Sequence, residues 1–162
     1  MFRNPHLLRA LGGLLRRLHE TVPRPGNATP LDLGRAMARY AEIVGGAWAG
    51  RMARTGTRAW RESRPDERAT AVCHNDPVAP NVISGGRLRL IDWEFSCPGD
   101  PLFDLAVVIG HHGLNDRQAR ILLAAGRNGV RIADRKALER LVEAYGCLRS
   151  LWELAVRRLR QA

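Results

Sequence analysis

Two β-prone runs, Val82-Ile83-Ser84 and Arg87 to Ile91, flank Gly85-Gly86 in a chain otherwise dominated by helical periodicity, and that glycine pair constrains the fold more than any other feature. A two-residue glycine link is a strong hairpin signal, because both central positions call for positive φ. The register that follows pairs Ser84 with Arg87, Ile83 with Leu88, Val82 with Arg89 and Asn81 with Leu90. Asn81 and Asp92 are then expected on one face as a diagonal pair about 7–8 Å apart. Two oxygen-bearing side chains across such a gap suit one hard divalent cation. Mg²⁺ commonly takes one or two protein ligands and completes its shell with phosphate oxygens and water. Just upstream, His74-Asn75-Asp76 opens the spacing His-x-Asp-x-x-x-x-Asn, which sets Asp76 on the loop entering the hairpin, where a carboxylate can take a proton. The plainer alternatives are a loop-capping role for Asp76 and turn chemistry at the strand ends for Asn81 and Asp92.

Around this stretch the chain reads as helices. Asn4-Pro5 is a cap followed by proline at the first helical position, and Leu7, Leu8, Leu11, Leu14, Leu15 and Leu18 recur with helical period. Thr29-Pro30-Leu31-Asp32 is expected to cap a second helix carrying Leu33, Met37, Tyr40, Val44 and Trp48. Gly45 to Met52 superficially echoes a phosphate-cradling loop, but it follows a helical pattern and has Arg51-Met52 where Lys-Ser/Thr is needed, so a packing or helix-breaking role is expected for its glycines. Residues 61 to 68 read as a charged connector and Ala69 to Cys73 as a short strand. Asp100-Pro101 repeats the cap-plus-proline signal, and His111-His112 close that helix as C-terminal caps or substrate-side surface. Asn115 or Asp116 caps another helix. The Gly126 to Gly129 turn leads to Asp134, the expected cap of a long segment whose stripe includes Leu138, Leu141, Val142, Tyr145, Leu148, Leu151, Trp152, Ala155 and Leu159.

Three segments together resemble a family. His74, Asp76 and Asn81 resemble the catalytic loop of the aminoglycoside phosphotransferase and choline kinase group, relatives of the protein kinases in fold. Ile91-Asp92-Trp93-Glu94-Phe95 resembles that group's metal-binding Asp segment, and Gly99-Asp100-Pro101 through Asp104-Leu105-Ala106 the segment that follows it. Glu94-Phe95-Ser96 is closer to choline, ethanolamine or thiamine kinases than to the aminoglycoside enzymes, which commonly carry glycine after the aromatic. The resemblance implies an α+β, mainly α fold: a protein-kinase-like C-terminal lobe with a small β-hairpin carrying the catalytic and metal-binding loops. It implies ATP and Mg²⁺ as cofactors and a small-molecule alcohol as substrate. Asp76 would be the catalytic group, Asn81 and Asp92 the metal ligands, and His74 and Asp104 supports of the catalytic loop. Glu94 and Trp93 would touch the substrate, packing being the equal alternative for Trp93. Leu18-His19-Glu20 resembles the leucine-histidine ending of the first helix of that lobe.

Residues 1–162 are expected to form one such large lobe. The resemblance also implies an N-terminal lobe whose strand-borne lysine pairs with the nucleotide phosphates. Lys136, the only lysine, follows the metal-binding Asp and does not fit that place. Three readings stay open: a small lobe encoded separately and acting as a partner, a non-catalytic small-molecule or protein-binding module derived from such a kinase, or arginines standing in for the lysine.

The formal net charge of +10 raises the question of nucleic acid. The positive charge is almost all arginine scattered among alanine and glycine, with no compact basic block, so a solvated surface is expected instead. Cys73, Cys97 and Cys147 are odd in number and form no Cys-x-x-Cys pair, which indicates neither a disulfide framework nor a zinc ribbon and fits a reducing cytoplasm. No stretch approaches the roughly 18 apolar residues of a membrane span.

Overall fold

The computed structural model describes residues 4–21, 30–68, 71–126 and 132–161. In chain order these form α1 (Pro5–His19), α2 (Leu33–Val44), α3 (Gly46–Glu62), β1 (Ala71–Cys73), β2 (Val82–Gly85), β3 (Arg87–Leu90), β4 (Cys97–Gly99), α4 (Pro101–His112), α5 (Asp116–Gly126) and α6 (Ile132–Leu159). Short 3-10 turns lie at Pro65–Arg68 and Ala79–Asn81. The mainly helical α+β architecture matches the expectation. Among the described residues no helix is long and apolar enough to cross a membrane.

Local signals start several helices where the sequence places them. Asn4 caps α1 by accepting from the His6 N–H at 2.8 Å, and Asp32 caps α2 by accepting from Arg35 N–H at 2.9 Å. Asn115 and Gln118 bond reciprocally at the start of α5, each backbone N–H donating to the other's side chain. Thr29, residues 127–129 of the expected turn, and Ala69-Thr70 of the expected strand lie outside the described residues.

The core is built on α4. Pro101 through Val108 are all buried, so the helix is covered on every side and serves as the axis on which α1, α5 and α6 pack. Leu8, Leu11 and Leu15 of α1, Met37 of α2, Leu122 of α5, and Leu141 and Leu151 of α6 join one continuous cluster around it. The α1–α5 crossing is close enough that a Cβ on Gly12 would stand 2.7 Å from the Leu122 carbonyl oxygen. The end of α3 is tied to the start of α4 by Arg68, whose guanidinium donates to Asp100 at 2.7 and 2.9 Å and to the Ser63 carbonyl at 2.6 Å. Asp100 is therefore both a buried ion-pair partner and the cap of α4, accepting from Leu102 N–H at 2.9 Å.

Several expectations are corrected. The second helix ends at Val44, because Gly45 and Gly46 take φ of +71° and +82°; Trp48 belongs to α3 and is 42% exposed. Arg61 and Glu62 are still helical, so the connector is shorter than expected. The long C-terminal helix is already running at Ile132, ahead of Asp134, and Trp152 and Leu159 stand 49% and 62% exposed rather than in the buried stripe.

The hairpin exists, in a register shifted by one residue. Gly85 pairs with Arg87, Ser84 with Leu88, Ile83 with Arg89 and Val82 with Leu90. Only Gly86 takes positive φ, +84°, and Gly85 joins the strand instead of the turn. Asn81 now stands opposite Ile91, whose N–H donates to the Asn81 carbonyl at 3.0 Å. Strict alternation along this ladder no longer places Asp92 on the Asn81 face, since a one-residue slip exchanges the faces. Alternation itself ends there: Asp92 takes φ +64°, beyond the end of β3.

Candidate active site

A second ladder, absent from the sequence expectation as a pair, sets the site. β1 runs antiparallel to β4, with Ala71 opposite Gly99, Val72 opposite Pro98 and Cys73 opposite Cys97. The loop leaving β1 carries His74, Asn75 and Asp76, and the loop entering β4 carries Asp92 to Ser96. The ladder therefore holds the bases of both loops side by side, while the β2–β3 hairpin brings Asn81 between them.

Asp104, fully buried in the first turn of α4, organises the β1 loop. Its carboxylate accepts from His74 N–H at 3.0 Å, from Asn75 N–H at 2.6 Å and from the His19 Nε2–H at 2.8 Å. A carboxylate that gathers three donors fixes the backbone conformation of a loop that has no secondary structure of its own. Asn75 completes the brace. Its φ is +66°, and its side-chain amide donates to the Phe95 carbonyl at 2.8 Å and to Cys97 Sγ at 3.2 Å, joining the two loops. His74, also fully buried, spans the same gap: its Nε2 meets the Ile91 carbonyl at 2.9 Å and its Nδ1 the Asp76 N–H at 3.3 Å. Because a carbonyl only accepts and an N–H only donates, this pattern assigns the proton to Nε2 and leaves Nδ1 as acceptor.

Asp76 and Asn81 meet directly. Asn81 Nδ2 donates to Asp76 Oδ2 at 2.8 Å and to the Asp76 carbonyl at 3.0 Å. Burial pushes the Asp76 carboxyl above the ordinary carboxylate range; the charges of Asp92 and Glu94 add to the rise, while the Asn81 bond opposes it. Asp92 and Glu94 are thus close enough for their charge to be felt at Asp76, and the structure gathers Asp76, Asn81, Asp92 and His74 at one place. Asp92 and Glu94 are both exposed. Trp93 packs against the His74 ring with centroids 4.8 Å apart and keeps 46% of its surface exposed. Glu94 and Phe95 also line a cavity of about 380 Å³ against Asp32, Arg35 and Arg39 at the start of α2.

The donor set suits a hard cation. Both protons of the Asn81 amide are committed to Asp76, which leaves its Oδ1 as a free acceptor, and no described residue donates to the Asp92 carboxylate. Oxygen-only ligands are those Mg²⁺ prefers.

On the far side, His111 Nδ1 lies 3.0 Å from the Tyr145 hydroxyl, and Arg149 donates to the His111 carbonyl at 3.1 Å and to Glu153 at 2.7 Å. Burial and the Arg149 charge hold His111 below its usual range. Burial pushes Tyr145 up to about 12, with the Asp76 charge contributing to the rise. Tyr145, one of the apolar stripe in the sequence, thus turns its hydroxyl to His111. Neither it nor Asn75 was singled out by sequence reasoning. The one available signal for Asn75 is the tolerance of asparagine for positive φ.

Buried scaffold, loops and hairpin together define a kinase-like large lobe. The same architecture is found in choline kinase LicA from Streptococcus pneumoniae, at TM-score 0.73 and 18% identity over 96% of this chain and 57% of that one. It is also found in a choline/ethanolamine kinase family protein from Mesorhizobium loti, at 0.73 and 23% over 94% and 55%. A model of the phosphotransferase enzyme family matches residues 2–154, and the chain belongs to that family. Protein LicA of Haemophilus influenzae is 46% identical over 52 residues, 32% of this chain and 20% of that protein. The chain spans little more than half the length of the solved kinases it matches.

Proposed function

We propose that the protein transfers the γ-phosphoryl group of ATP to the hydroxyl of a small amino alcohol, with choline and ethanolamine the first acceptors to test, and that residues 1–162 act as its large lobe. The observation that carries this is the 2.8 Å bond from Asn81 to Asp76 at a site where Asp92 and Glu94 also converge. Asp76 accepts the proton of the attacking hydroxyl; its raised pKa makes it a better base than an ordinary surface carboxylate. Asn81 holds that carboxylate in place through its amide N–H groups, which leaves its Oδ1 available as an acceptor. Asn81 Oδ1 and Asp92 would hold Mg²⁺, which when bound supplies neutralisation of phosphate charge. His74 and Asp104 keep the loop in its reactive shape without exchanging protons. Exposed Trp93 and Glu94 offer an aromatic face and a carboxylate to a cationic acceptor.

The test is transfer of label from ATP with Mg²⁺ to a panel of choline, ethanolamine, thiamine and aminoglycosides by the full-length protein. Asp76→Asn should leave nucleotide binding near normal and lower turnover by roughly 10²–10⁴. An Asn variant running at full speed rejects the role assigned to Asp76.

A further inference from the structure

Cys73 and Cys97 are distant in sequence and directly opposed in the β1–β4 ladder. Opposed residues of an antiparallel pair have Cα atoms about 4.5–5.5 Å apart and side chains on the same face, and disulfides span Cα separations of about 4.4–6.8 Å. Both thiols are free and buried, and Cys97 differs from Cys73 in two ways. It lines the cavity of about 380 Å³ at the start of α2, keeping 8% of its surface exposed, and it accepts the Asn75 amide hydrogen bond at 3.2 Å. Cys73 is fully enclosed. A ring nitrogen of His19 lies within 4.8 Å of its sulfur, and His19 Nδ1 is buried with no hydrogen-bond partner.

We propose that Cys73 and Cys97 form a reversible disulfide, with Cys97 reacting first, that fastens the base of the Asp76 loop to the base of the Asp92 loop. The oxidant is a low-molecular-weight disulfide, R–S–S–R. Cys97 sulfur attacks one of its sulfurs; the R–S–S–R bond breaks, a Cys97–S–S–R bond forms, and one RS⁻ leaves and takes the Cys97 proton. Cys73 sulfur then attacks the Cys97 sulfur and displaces the second RS⁻. That thiolate ends with the Cys73 proton, taken up on the way by the His19 imidazole. Two protein thiols are oxidised and one R–S–S–R is reduced to two RSH. Burial pushes the Cys73 thiol far above its ordinary range, the nearby Asp104 and Asp100 charges adding to it, which leaves the first attack to Cys97 and makes the second step depend on removal of the Cys73 proton by His19. The bridge does not depend on the proposed phosphoryl transfer.

The experiment incubates the full chain with oxidised glutathione in native buffer, quenches by alkylation, and reads intact mass and peptide maps. The expected product carries a single alkyl tag, on Cys147, and apart from that tag is lighter than the reduced chain by two hydrogen atoms; it retains no glutathione and links the peptides of Cys73 and Cys97. Cys147→Ser should give the same bridge. Cys73→Ser should stop at a glutathione adduct on Cys97, and Cys97→Ser should give no bridge. The bridged chain should melt higher by about 5 °C or more, since closing a loop of this size constrains the unfolded state. A glutathione adduct that persists in the wild-type chain, a bridge that includes Cys147, or a Cys73–Cys97 bridge that forms only in denaturant overturns the proposal. The wild-type map decides these even if a serine variant fails to fold.

Discussion

Asp104 sits at 0% exposure inside α4 and gathers three donors, whereas Asp92 stands exposed at a left-handed φ with no described residue donating to it. The same carboxylate chemistry is spent inward in one place and left open in the other. A buried carboxylate that shapes a loop must be satisfied by the protein. One that meets a ligand must be left unsatisfied, and the fold keeps the two apart by placing one on a helix in the core and the other beyond the end of a strand. Asp76 falls between them, half-buried, bonded to Asn81 and strained electrostatically by its neighbours.

Replacing the inward carboxylate should cost most. Asp104→Ala strands two backbone N–H groups and a buried imidazole, and urea denaturation should show a loss of about 3–5 kcal/mol. A loss below about 1 kcal/mol would mean that water substitutes easily and that the two carboxylates do not differ in kind.

For Asp76 the effect on stability has the opposite sign. Its folded pKa is raised, so the folded state holds the proton more tightly than the unfolded state, and the contribution of Asp76 to stability is lost as pH rises through the folded value. Asp76→Asn should therefore be more stable than the wild-type protein at neutral pH, with the gap closing as pH falls toward the ordinary carboxylate range. Thermal melts across that range check this; a gap that widens toward acid contradicts it.

The outward carboxylate should matter least to the fold. Asp92→Asn keeps a residue that tolerates positive φ and should change stability by no more than about 0.5 kcal/mol. Calorimetry on the same variant should show Mg²⁺-dependent nucleotide binding lost. Unchanged binding would remove Asp92 from the metal site and undo the contrast with Asp104.

The legible parts of the molecule are those written locally. Asn4-Pro5 and Asp100-Pro101 start helices because cap and proline act within a few residues, and the leucines of α1 mark their buried face by spacing alone. The bond from Asn81 to Asp76, by contrast, was not foreseen, since the expected register set Asn81 diagonally to Asp92 instead. The hairpin register was not legible, since either glycine can occupy the turn and neither has a side chain to choose a face; backbone pairing decided for Gly86. Nor could spacing reveal that β1 pairs with β4 across the intervening hairpin, that Cys73 faces Cys97, or that Tyr145 turns its hydroxyl to His111. Those are contacts between distant segments, set by how the helices stack.

The bonds from His74 and Asn75 N–H to Asp104 also fix a timescale. Amide protons exchange with solvent only when their bonds open, and these two end on a residue in a helix buried from Pro101 through Val108. Their release requires α4 to part from its neighbours, so the two protons should exchange among the slowest in the chain, at the rate set by global unfolding. A loop without regular structure thereby inherits the lifetime of the core.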